Sequence, residues 1–119
     1  MKKNVLLEKS FSFALNSIEE YQILLSKKEF IISKQFLRSA TSVGANIREA
    51  NNSESLKDFI HKLHISLKEC DESQYWLELL FASNQMNESS YKNLMSAADE
   101  IKKILTSCIL TSRSKLNRR

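Results

Sequence analysis

The sequence predicts an all-α fold, an antiparallel up-down-up-down four-helix bundle, and three observations predict it. Proline is absent and glycine occurs once in 119 residues, so both strong helix breakers are nearly missing. Apolar residues recur at spacings of three and four through four segments, which is the helical period. The breaks between segments are short and polar, and such connections turn each helix back along its predecessor. A chain of this length holds one domain whose core needs neither a disulfide nor a metal.

The first helix is expected to present Leu7, Phe11, Ala14, Ile18, Tyr21 and Leu25 to the core and to break in the SKKE stretch at 26–29. The second presents Phe36, Ala40, Val43, Ile47 and Ala50 and breaks at 51–53. Asn52 or Ser53 is expected to cap the third, whose stripe is Leu56, Ile60, Leu63, Leu67, Cys70, Gln74, Leu77 and Phe81. At about 30 residues and 1.5 Å each it spans roughly 45 Å and is expected to be the spine. The break at 83–87 ends in Asn87, a cap for the fourth helix with Glu88 at its positive dipole end. Tyr91, Leu94, Ala98, Ile101, Leu105 and Cys108 form its stripe.

Several apolar residues fall outside these stripes: Leu6, Phe13, Leu15, Phe59, Tyr75, Trp76, Leu79 and Leu80. A lone bundle buries one stripe per helix, so the surplus predicts a wide core or a second chain against it. Tyr75 and Trp76 are residue types favoured at interfaces and are candidate interface residues, together with Gly44. A glycine within a helix costs about 1 kcal/mol relative to alanine, which suggests a backbone approached closely. Among the small residues Ser39, Ala40, Ser42 and Ala45, Gly44 is expected to pack on the third helix or on another subunit.

The net charge is +4, unevenly spread. Residues 1–112 carry 14 Lys/Arg against 14 Asp/Glu, so the excess lies in 113–119, read as a frayed helix end or a basic tail held in solvent after a bundle over 1–112. Arg113, Lys115, Arg118 and Arg119, with Lys27, Lys28 and Lys34, are the candidate contacts to nucleic-acid phosphates. Cations at a helix end also offset its dipole, the structural alternative.

A turn near residue 52 places Asn46 opposite Asp58 and Arg38 within reach of Glu69. Arg38, Asn46, Arg48, Glu49, Asp58, Glu69 and Glu72 thus form a candidate polar cluster, either register-fixing links or a small polar site. Enzymatic chemistry finds no footing. A di-iron bundle needs two Glu-x-x-His pairs, and Asp58-x-x-His61 is the nearest match, once; with His64 it is half a zinc site at most. Cys70 sits among acids and reads, like Cys108, as a small hydrophobe. One glycine cannot build a phosphate loop, so no catalytic residue, cofactor or metal is expected. No uncharged run approaches the length of a membrane span, and two cysteines are too few for a secreted scaffold, so a reducing cytoplasm is the expectation.

Residues 35–80 resemble the four-helix-bundle family of 23S ribosomal RNA intervening-sequence proteins. The likeness lies in Gln35, Arg38, Ser39, Ser42, Asn46, Ile47 and Glu49, in Ser55, Asp58 and Phe59, and in Lys68, Glu69, Glu72, Tyr75, Trp76 and Leu77. Founding members are encoded in sequences inserted into bacterial 23S ribosomal RNA genes, and their role is unsettled. The family is similar to the accessory protein of diversity-generating retroelements, a basic pentamer that binds nucleic acid and associates with a reverse transcriptase. The resemblance therefore implies a homopentameric ring with RNA or DNA, and a reverse transcriptase or other protein, as partners. An adaptor that binds only protein is the alternative.

Overall fold

The computed structural model describes residues 2–118. Among them are four helices and no strand: α1 (Lys2–Ser26), α2 (Ile32–Asn51), α3 (Leu56–Ala82) and α4 (Glu88–Asn117). Each helix packs on its neighbours in sequence, and α1 closes the ring onto α4. The molecule measures 53 × 21 × 20 Å. α3, at 27 residues, packs on both α2 and α4, and α4 is slightly longer at 30.

The breaks follow from local chemistry. Lys28 and Asn84 adopt left-handed backbone conformations, with φ of 64° and 62°. After α1, the Glu29 amide donates to Leu24 O (3.0 Å) and the Lys28 amide to Leu25 O (2.9 Å); after α3, Gln85 donates to Leu80 O (2.9 Å) and Asn84 to Phe81 O (3.0 Å). Both are Schellman endings, built here without glycine. Asparagine tolerates this conformation and lysine resists it. Lys28→Gly should therefore raise stability by about 0.5–1 kcal/mol in a urea titration; a loss instead would mean that the Lys28 side chain itself stabilises the turn. The Glu29 carboxylate accepts from the Ser33 (2.6 Å) and Ile32 (3.3 Å) amides and so caps α2, where a negative group also suits the helix dipole.

Asn87 caps α4 as expected, accepting from the Ser90 amide at 2.8 Å. The cap of α3 is Ser55, which accepts from the Asp58 amide at 3.0 Å, in place of Asn52 or Ser53. Those two instead finish α2, their amides donating to Glu49 O and Ala50 O at 3.1 Å.

The expected core faces of α2, α3 and α4 are the buried or half-buried ones. That of α1 is not. Its buried stripe is Leu6, Ser10, Phe13, Ser17, Glu20 and Leu24, one residue out of phase with the expectation. Phe11 is 66% exposed and Ile18 38%. Leu6, Phe13 and Leu80, taken from sequence as surplus, belong to the core, against which Phe59 and Trp76 also pack.

Serines fill the seams because they are small and their hydroxyls find carbonyls within the helices. Ser66 Oγ donates to Val43 O across the α2–α3 seam (2.8 Å), and Ser73 Oγ meets Ser39 Oγ at 3.0 Å. Between α3 and α4, Gln74 Nε2 donates to Met95 O (3.3 Å) and Asp99 Oδ1 (2.8 Å), and its Oε1 accepts from Lys102 Nζ (2.9 Å).

Candidate functional site

Arg38, on the outer side of the α2–α3 seam, holds the centre of the polar cluster. Its Nη1 donates to Glu69 Oε1 at 3.2 Å and Oε2 at 3.3 Å, its Nη2 pairs with Glu72, and its Nε donates to Gln35 Oε1 at 3.3 Å. Trp76 Nε1 donates to Glu72 Oε2 at 3.0 Å, which fixes the carboxylate that meets Arg38. Partial burial opposes the guanidinium's charge, but the hydrogen bond to Glu72 and the charge of Glu69 outweigh it, so its pKa is raised. The group is a charge-compensated clasp between two helices. At 46% side-chain exposure for Arg38, its ion pairs contribute only about 0–1 kcal/mol.

The other four residues of the expected cluster lie elsewhere. Asn46 does not meet Asp58; its Nδ2 donates to Ser42 O in its own helix at 2.8 Å. Because α3 begins at Leu56, partners lie further along it than a turn at 52 predicts, and Glu49 meets Lys62 at 2.9 Å. Asp58 serves the α3 cap, while Arg48 lines a groove between α1 and α2. Lys62 escaped the sequence reading because its pairing depends on this register.

That groove, of about 740 Å³, is lined by Leu7, Phe11, Ala14, Gly44, Ala45 and Arg48 among others. Gly44 answers to α1 here, not to α3: a Cβ on it would stand 3.3 Å from Ser10 Oγ and 3.6 Å from Ser10 O. Tyr75 is 52% exposed and packs tilted against the half-buried Trp76, with ring centroids 5.0 Å apart.

The candidate phosphate contacts fall at opposite ends of the molecule. Lys27, Lys28 and Lys34 lie where α1 ends and α2 begins, all exposed, with Lys27 Nζ donating to Gln85 O at 2.9 Å. Arg113, Lys115 and Arg118 lie at the far end of α4. The expected tail is helical as far as Asn117: Ser112 is buried and Leu116 packs against the core. Arg119 lies outside the described residues. Arg113 Nη2 meets His64 Nε2 on α3 at 2.5 Å. Burial first, then the charges of Arg113, Lys68 and His61, lower the pKa of His64, which suits a neutral ring accepting from Arg113.

Among the described residues no group of three or more His, Cys, Asp and Glu could hold a metal ion, and no helix is long and apolar enough to cross a membrane. Cys70 is buried with Sγ 3.4 Å from Ala98 O, and burial pushes its thiol up to about 12, the opposite of an activated nucleophile.

Comparison with known proteins agrees with this geometry. No curated protein matches the chain significantly. A solved structure, described as a protein with unknown function from the S23 ribosomal protein family of Bacteroides thetaiotaomicron, superposes with a TM-score of 0.90 at 47% identity. The match covers 92% of this chain and 98% of that one. The model of the 23S rRNA-intervening sequence proteins matches residues 2–107, which takes in all of α1, α2 and α3 and most of α4. The chain therefore belongs to the 23S rRNA-intervening sequence protein family.

Proposed function

We propose that this antiparallel up-down-up-down bundle is a non-enzymatic protein that assembles with copies of itself and binds nucleic acid through its basic ends. The observation that carries the reading is the distribution of unpaired positive charge. Lys9, Arg38, Lys62, Lys92 and Lys102 each have a carboxylate partner. Among the described residues Lys27, Lys28, Lys34, Arg48, Lys57, Lys68, Lys103, Arg113, Lys115 and Arg118 have none within ion-pair distance; Lys27, Lys28 and Lys34 gather at one end of the bundle, and Arg48, Lys57, Arg113, Lys115 and Arg118 at the other. Cations left unneutralised at one end of a body give a potential that attracts phosphates, and copies arranged side by side multiply it.

Self-association is supported by a ridge beside a slot. Phe11, Leu15 and Ile18 stand exposed on α1 next to the groove floored by Gly44 and Ala45. Large apolar side chains beside a small-residue slot allow one copy's ridge to sit in the next copy's groove, the kind of repeated contact that closes into a ring. A five-membered ring in the bacterial cytoplasm is the form suggested by the family resemblance.

Light scattering at 50 and 200 mM salt, with and without a short structured RNA, tests the reading. An assembly several times the 13.8 kDa chain mass that takes up RNA at low salt and releases it at high salt is the expected result. An assembly indifferent to RNA at both would favour a protein-binding adaptor, for which exposed Tyr75 offers a contact.

A further inference from the structure

Resting on the nucleic-acid reading above, the geometry points to the outer face of α3, Lys57, His61, His64 and Lys68 with Arg113 of α4, as the surface that holds the nucleic-acid backbone. Of these, only Arg113 is among the phosphate contacts expected from the sequence. The spacing brings them together: steps of four, three and four place the α3 residues in one stripe along the helix. Eleven residues at 1.5 Å each make the stripe about 16 Å long, enough to follow four or five phosphates at about 3.4 Å axial rise. Lys57, His61, Lys68 and Arg113 are exposed and His64 is half-buried, reached by Arg113 from the adjoining helix.

Acids near the stripe are drawn to other cations: Asp71 accepts from Lys102 at 2.9 Å, Glu49 pairs with Lys62, and the charge of Asp58 also acts on Lys62. The members of the face are cationic or imidazole, with no Phe, Tyr or Trp among them to make a broad platform on which an unpaired base would stack. Those properties select a duplex backbone and a sequence-independent contact, in contrast to single strands gripped by aromatic platforms. The opposite end offers Lys27, Lys28 and Lys34, but Lys27 is spent on Gln85 O and no histidine extends the patch.

The test is fluorescence anisotropy of the full chain with labelled 20-base-pair RNA and DNA duplexes of mixed sequence, from 50 to 200 mM salt. Three variants are compared with the wild type: Lys57→Ala/Lys68→Ala, its conservative counterpart Lys57→Arg/Lys68→Arg, and Lys28→Ala/Lys34→Ala at the far end. The expected result is a loss of about tenfold or more at 100 mM salt for the first, with the salt slope on DNA shallower by about 2. The arginine pair and the far-end variant should retain binding. Wild-type binding with an unaffected Lys57→Ala/Lys68→Ala variant would overturn the stripe and leave the broader reading standing. Loss confined to the far-end variant would move the contact to the other pole and overturn the stripe equally. No binding of either duplex by the wild type at 50 mM salt would overturn this surface, and with no uptake of the structured RNA the nucleic-acid reading itself.

Discussion

Phe13→Ala is expected to remove about 3–5 kcal/mol of stability, while Phe11→Ala, two positions earlier on the same helix, removes less than about 1 kcal/mol from the isolated chain. The first ring is 1% exposed within the core that includes Leu6 and Leu24, and its loss leaves a cavity that the close-packed helices fill only in part. The second is 66% exposed and leaves no hole. Domains of this size are stable by only about 5–15 kcal/mol, so Phe13→Ala stands near the edge of folding. Urea titrations at protein concentrations too low for assembly would show the contrast as a fall in midpoint at constant slope for Phe13 alone. Equal losses would mean that α1 is rotated from the orientation described. At higher concentration the order should reverse in a different observable: Phe11→Ala removes apolar area from the exposed ridge, so it should weaken self-association in sedimentation equilibrium.

That rotation is also where sequence and structure part most instructively. The stripes of α2 and α4 are almost unbroken apolar runs and that of α3 nearly so, and hydrophobic periodicity finds each of them. In α1 the buried stripe carries Ser10, Ser17 and Glu20, while the neighbouring stripe, with Phe11 and Ile18 exposed and Ala14 half-buried, is the more apolar. Ranking by hydrophobicity therefore selects the wrong side by one residue, about 100° of rotation. The buried serine is legible only with its partner in view: Ser10 faces Gly44, and its hydroxyl is satisfied by Leu7 O in its own helix (3.3 Å), so a small polar residue packs there without an interhelical bond. The candidate site divides the same way. Arg38 and Glu69 were legible because both lie near the middle of their helices, where a register error of a few residues still leaves a long arginine in reach. Asn46 with Asp58 was not, since the pairing hinged on whether α3 began at Asn52 or at Leu56. The contact of His64 with Arg113 was beyond sequence reasoning for a further reason: it requires residues past 112 to remain helical and packed, where their charge and polarity suggest a tail.

Gly44→Leu is the substitution expected to act on fold and assembly together. A Cβ at Gly44 stands 3.3 Å from Ser10 Oγ, a contact a rotating hydroxyl can relieve, and 3.6 Å from Ser10 O, which belongs to the α1 backbone and cannot rotate away. Alanine should therefore be near neutral, its helix-propensity advantage of up to about 1 kcal/mol offset by the tight contact. Leucine adds three further carbons with two places to go. Directed at α1 they force the helices apart, an overpacking cost of about 1–3 kcal/mol. Directed outward they fill the slot bordered by Ala45 and Phe11, where the next copy's ridge is proposed to sit. Both routes should abolish the large species in light scattering, and the first also lowers the melting temperature. Adding Ser10→Ala separates them, because removing the hydroxyl relaxes the α1 contact and restores part of the lost stability, yet leaves the slot occupied and assembly impaired. A Gly44→Leu protein with wild-type mass and melting temperature would show that α1 does not approach this position closely and that the groove is not the seat of a second copy.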